Sequence, residues 1–104
     1  MNTNLQYLED DVVTSLKVPP HSLTLEQAML SGLMTEPEIW DSLESIIGEH
    51  DFYSPRHKLI FSAIAHLIHA EQPCDALLVA KHMEDIGTLA KAGGESYLEQ
   101  ILKD

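Results

Sequence analysis

Cysteine is nearly absent from this chain of 104 residues, where Cys74 stands alone. One thiol closes no intramolecular disulfide and leaves no set of thiolates for a structural zinc site. A disulfide-stapled fold and a zinc ribbon are both excluded. Basic residues are scarce too: 6 Lys and Arg face 17 Asp and Glu, a formal charge of −11 with His neutral. Affinity for nucleic acid comes largely from cationic side chains that displace the counterions of phosphates. A surface this acidic repels that backbone, so autonomous DNA or RNA binding is the first function to lose support. No apolar run approaches the ~20 residues of a membrane span. Met1 to Asp10 lack the basic segment and apolar run of a signal peptide. These absences point to a reduced, cytoplasmic, acidic globular domain.

What is present is a helical pattern. Hydrophobic residues make up 44% of the chain, enough for one core in one domain. They recur at three and four residues, and strict alternation never lasts, which is the mark of amphipathic helices. The spacing predicts a first helix from about Leu25 to Met34, opened by a Thr24–Gln27 capping box, with Gly32 allowing a close contact. A second, with Thr35 and Glu38 as capping box and Pro37 in its first turn, has the stripe Ile39, Trp40, Leu43, Ile46 and Ile47 and ends at Gly48. The third and strongest runs from Pro55 to about Ala70, capped by Ser54 and stopped by Gln72-Pro73. Asp75 caps a fourth, whose apolar positions are Leu78, Val79, Met83 and Ile86, with Gly87 as the left-handed residue after it. Gly93-Gly94 opens a fifth, with the stripe Tyr97, Leu98, Ile101 and Leu102. In residues 1–20, Leu5, Leu8, Val12 and Leu16 fit either a short docked helix or a mobile arm ahead of Pro19-Pro20. The expected fold is all-α: a compact, irregular bundle of five to six short helices, with an arm at 1–20 and a helical head at 21–104.

No catalytic constellation emerges. His66-x-x-His69 places two imidazoles on one helix face, but no Glu follows His66 as in an H-E-x-x-H site, and ordinary solvent-facing histidines are the better reading. A small metal-binding domain built on His57, His66, His69 and His82 stands as a rival; the expectation is no metal, no cofactor and no catalytic residue. Cys74 precedes a helix N-terminus, where a thiolate gains some stabilisation, yet it reads better as a small apolar filler. Gly93-Gly94 has neither the Gly-Lys-Ser/Thr of a P-loop nor the preceding strand of a dinucleotide loop. The six carboxylates from Glu36 to Asp51 read as a solvated face. Arg56 and Lys58 are the exception, two positive charges in one turn that meet an acidic partner or offset nearby carboxylates.

The ordered motifs resemble a known family. Leu16-Lys17-Val18-Pro19-Pro20-His21-Ser22-Leu23, Glu26-Gln27 and Leu30-x-Gly32-Leu33-Met34 are similar to the opening of the amino-terminal domain of DnaB-type bacterial replicative helicases. Asp51-Phe52-Tyr53, Pro55-Arg56-His57-x-x-Ile60-Phe61, Pro73-x-Asp75 and Gly93-Gly94-x-x-Tyr97-Leu98 continue the match. The resemblance covers about Leu16 to Lys103. It implies a non-catalytic head that supports a hexamer arranged as three dimers and receives primase, with a helicase loader as a further partner and no direct DNA contact. In that family ATP and Mg are bound by a separate RecA-like domain, and a helical hairpin after the head makes much of the dimer and primase contact. This chain ends at Asp104, before such a hairpin, so a monomer or weak dimer is expected. A stand-alone adaptor or loading regulator that copies the head is the alternative. The family's region after the double glycine faces partners, which makes Tyr97 the first candidate contact, with Leu98, Arg56 and Lys58 beside it; a core tyrosine with its hydroxyl at the surface is the competing reading.

Overall fold

The structure, a computed structural model, describes residues 21–103. The expectations for residues 1–20 lie outside the described residues. Five α-helices, joined in part by short 3₁₀ turns, make up the described chain, which contains no strand. They are α1 (His21–Thr35), α2 (Trp40–Leu43), α3 (Pro55–His69), α4 (Ala76–Asp85) and α5 (Gly94–Lys103). The 3₁₀ turns are Pro37–Ile39, Glu49–Asp51 and Ala90–Ala92. The all-α expectation holds.

Helix α3 is central. Ser54 caps it by accepting the His57 N–H at 3.4 Å, Pro55 occupies its first turn, and its interior face carries Ile60, Phe61, Ala63, Ile64 and Leu67. Helices α1 and α4 pack against it and α5 packs against α1 and α4, which buries Leu30 and Leu33, Val79 and Met83, and Leu98 and Ile101. Trp40 anchors the acidic segment to this core: its ring lies 5.5 Å from Phe61 and edge-on to His69 at 5.6 Å, and Phe61 meets Phe52 at 4.9 Å. Asp75 caps α4 by accepting the Leu78 N–H at 3.2 Å, and Gly87 follows at φ 81°. Gly32 sits where an added Cβ would come within 3.2 Å of Ile39, the close contact its position suggested.

Some boundaries differ from expectation. Helix α1 covers His21–Thr35, so Thr24 lies inside it and the Thr24–Gln27 capping box does not form. Packing of the buried face of Glu26, Leu30 and Leu33 holds the helix, and it overrides the local capping signal at Thr24. Thr35 is the last residue of α1, its hydroxyl donating to the Ser31 carbonyl, and does not cap the next element. The expected second helix shrinks to a 3₁₀ turn and the single turn α2. The N–H groups of Ile46 and Ile47 both reach back to the Leu43 carbonyl, and this tight closure swings Ile46 into solvent at 70% exposure. Ile86 is likewise 57% exposed, because α4 has ended and Ile86 only caps it.

Cys74 is a packed filler, as its position suggested. It is 1% exposed, and its thiol donates to the Leu33 carbonyl at 3.4 Å. Burial pushes its pKa above the usual thiol range, and the Asp75 carboxylate adds to the shift. A thiol whose folded-state pKa is raised stabilises the fold below its ordinary pKa, and that contribution is lost as pH rises through the folded value. Iodoacetamide at pH 8 is expected to leave the native protein unlabelled and to alkylate it fully in denaturant. Fast labelling of the native chain contradicts this packing.

Candidate functional site

Two polar side chains lie inside the core: Glu26 at 0% exposure and His57 at 1%. A buried charge needs partners, since desolvation without them costs far more than a fold can spare. Glu26 projects from α1 toward the entrance of α3. Its oxygens accept the Tyr53 N–H at 2.5 Å and the Ser54 N–H at 3.4 Å, and Oε1 lies 2.7 Å from His57 Nδ1. One carboxylate thus fixes both the turn that launches α3 and the imidazole on its first turn.

The far side of that imidazole continues the chain of contacts. His57 Nε2 is 2.6 Å from the Tyr97 hydroxyl, and the Gln27 side-chain amide donates to the same hydroxyl at 3.0 Å. With its proton on Nδ1, facing the carboxylate, the ring accepts the tyrosine hydroxyl at Nε2, and the phenol oxygen accepts Gln27. No buried side-chain nitrogen or oxygen among the described residues is left without a partner. The network therefore joins α1, the Tyr53–Ser54 turn, α3 and α5 while satisfying its own polar groups.

Above this spine lies an exposed layer. The Tyr97 ring stacks on His57, with centroids 5.8 Å apart and planes within 19°, and the Arg56 guanidinium carbon sits 4.4 Å over the Tyr97 ring. Gly93 makes this stacking possible. It holds φ 104°, and a Cβ there would lie 2.7 Å from Tyr97 Cβ and 3.3 Å from Arg56 Cζ. Arg56 is exposed and pairs with no carboxylate among the described residues.

A carboxylate, an imidazole and a hydroxyl in line suggest a nucleophile relay. The arrangement does not support one. The hydroxyl is a phenol already held by two partners, and an open cavity of about 480 Å³ beside α1 is lined by Gln27 but by neither His57 nor Tyr97. The network holds the fold and displays the Arg56–Tyr97 pair. Replacing Tyr97 with Phe removes the hydroxyl alone and leaves His57 Nε2 and the Gln27 amide short of a partner. A loss of about 1–2 kcal/mol in urea unfolding is expected, and an unchanged midpoint would show that the hydroxyl is idle.

The sequence-derived candidates separate clearly. Tyr97 is part-buried with its hydroxyl turned inward, not displayed at the surface. Leu98 is 1% exposed and belongs to the core, because the stripe of α5 rotates it toward α4. Arg56 is exposed and Lys58 part-buried. The four histidines of the metal reading scatter: His57 is in the network, His69 meets Glu44 at 3.4 Å, and His66 stacks on His82. Among the described residues no group of three or more His, Cys, Asp or Glu is placed to hold a metal. Of the acidic stretch, Glu36, Glu38, Asp41, Glu44 and Glu49 are exposed, as a solvated face should be. The central role of Glu26 was missed, although one signal was available: it falls four residues before Leu30 and seven before Leu33, an acid on an apolar face.

Comparison with known proteins gives this architecture a context. The DnaB-like helicase N-terminal domain family matches residues 18–104. The replicative DNA helicase DnaB of Buchnera aphidicola subsp. Schizaphis graminum is 38% identical over 104 residues, 100% of this chain and 22% of that relative. The DnaB of Haemophilus influenzae is 32% identical over 92 residues, 88% of this chain and 20% of its own length. The crystal structure of the N-terminal domain of DnaB helicase from Mycobacterium tuberculosis superposes with a TM-score of 0.75 at 30% identity, covering 78% of this chain and 59% of that one. The chain spans about a fifth of the length of these helicases. No helix among the described residues is long and apolar enough to cross a membrane. The chain belongs to the DnaB-like helicase N-terminal domain family.

Proposed function

We propose that this domain is the protein-interaction head of its helicase, supporting a hexamer built as three dimers and recruiting primase at the replication fork in the cytoplasm. ATP and Mg bind elsewhere in such a helicase, and this head performs no catalytic step. The observation that carries the reading is the Arg56–Tyr97 stack on the buried Glu26–His57 pair. Arg and Tyr are the residue types that dominate the energetics of protein interfaces. A guanidinium already held over a ring loses little freedom on binding, so more of its contact energy survives as affinity.

Arg56 has no carboxylate partner of its own among the described residues, in a chain with 17 acids, which leaves it free for a partner's acidic group. The exposed carboxylates from Glu36 to Glu49 favour basic partners by long-range attraction and repel the DNA phosphates. Calorimetric titration of the full-length helicase with the carboxy-terminal domain of the cognate primase tests the reading. Saturable binding that is lost when residues 21–103 are deleted is expected; binding of equal strength without them contradicts it.

A further inference from the structure

Outside the Glu26 network, the fold brings together two imidazoles that the sequence keeps apart. His66 on α3 and His82 on α4 stack with ring centroids 4.5 Å apart and planes within 12°. His66 is exposed and His82 part-buried, and no side chain among the described residues hydrogen-bonds to either ring. The neighbour that the sequence pairs with His66 is engaged elsewhere: His69 lies edge-on to Trp40 and 3.4 Å from Glu44. Asp85, three residues on from His82, is paired with Lys81 at 3.7 Å.

We propose that His66 and His82 form a two-imidazole chelate for a divalent transition metal ion, Cu²⁺, Ni²⁺ or Zn²⁺, which ties α3 to α4. Neutral imidazole nitrogen is a ligand suited to these ions, whereas Mg²⁺ and Ca²⁺ prefer oxygen. Metal–nitrogen bonds of about 2.1 Å lie in the ring planes, so the two donor nitrogens must converge to roughly 3–3.5 Å. In the parallel stack at 4.5 Å the lone pairs run side by side, so the ion requires both rings to swing about their side-chain torsions until the planes open toward it, a motion that exposed His66 and part-buried His82 have room to make. Water fills the other coordination positions, in keeping with the lack of a third protein ligand among the described residues. The two donors come from different helices that pack on each other, so the ion binds the folded chain and not the unfolded one. Binding therefore raises the melting temperature by mass action.

The test is calorimetric titration of the chain with CuCl₂, NiCl₂, ZnCl₂ and MgCl₂, paired with melting curves. One ion per chain is expected, tightest for Cu²⁺ by the Irving–Williams order, with no heat from Mg²⁺. His66→Ala and His82→Ala should each weaken binding by at least about tenfold and abolish the metal-induced rise in melting temperature. His69→Ala and His50→Ala should leave both unchanged. Melting curves of the metal-free variants confirm that each is folded, since neither ring belongs to the buried core. Equal affinity in all variants means adventitious binding and overturns the proposal. Loss with His66→Ala and His69→Ala, but not with His82→Ala, overturns it in favour of a pair within α3. No saturable heat with any of the transition metals overturns it outright.

Discussion

Glu26→Ala is expected to lower the unfolding free energy by about 3–5 kcal/mol, because several donors that share one buried carboxylate each lose their acceptor at about 1–3 kcal/mol. The side chain is fully buried, and its loss strands three donors at once: the N–H groups of Tyr53 and Ser54, and His57 Nδ1. Water cannot easily replace a carboxylate at 0% exposure, so the desolvation of those donors goes uncompensated. Domains of this size hold roughly 5–15 kcal/mol in total. The variant should therefore melt more than about 10 °C below the parent chain. His57→Ala strands the carboxylate in turn, and the double variant should cost well under the sum of the two singles, since each removes the same contact. Urea unfolding followed by the fluorescence of Trp40, the one tryptophan in the chain, measures all three. A Glu26→Ala loss below about 1 kcal/mol would show that the pair is ornamental.

Gly93→Ala is the second large effect, at about 2–4 kcal/mol, and it separates two causes. At φ 104° an Ala pays the left-handed penalty of roughly 1–2 kcal/mol. Its Cβ would also stand 2.7 Å from Tyr97 Cβ, which must move and take the Arg56 stack and the His57 bond with it. Gly87 is the internal control. It holds φ 81° with nothing within 4 Å of its would-be Cβ, so Gly87→Ala bears the backbone penalty alone. The expected order in equilibrium unfolding is Gly93→Ala worse than Gly87→Ala by more than about 1 kcal/mol. Equal losses would mean that the contact with Tyr97 relaxes at no cost.

The pattern of what the sequence discloses follows from the range of the interactions involved. Ser54-Pro55, Asp75, Gly87 and Gly93-Gly94 act on backbone within a turn, and each marks its helix end where local chemistry places it. Ile46 and Ile86 continue the apolar period past the point where the helix stops, and periodicity alone does not record that stop. The Glu26–His57–Tyr97 line is invisible to local reasoning, because its members lie 31 and 40 residues apart and meet only after α1, α3 and α5 have packed. The same holds for His66 and His82, one drawn to a solvent face and the other to a different helix. The resemblance to replicative helicases carried Glu26, Arg56, His57 and Tyr97 as motif letters, and the structure joins those letters in one network.

Affinity for the primase carboxy-terminal domain, measured by calorimetry on full-length helicase and on its Arg56→Ala variant, tests the interaction account most directly. Arg56 is exposed and outside the buried pair, so its truncation should leave the melting temperature within about 2 °C. The account predicts a loss of affinity of about tenfold or more, as for an interface anchor worth at least ~1.4 kcal/mol. A control substitution at exposed Lys103 should leave affinity unchanged. Arg56→Ala binding primase as tightly as the parent protein would contradict it.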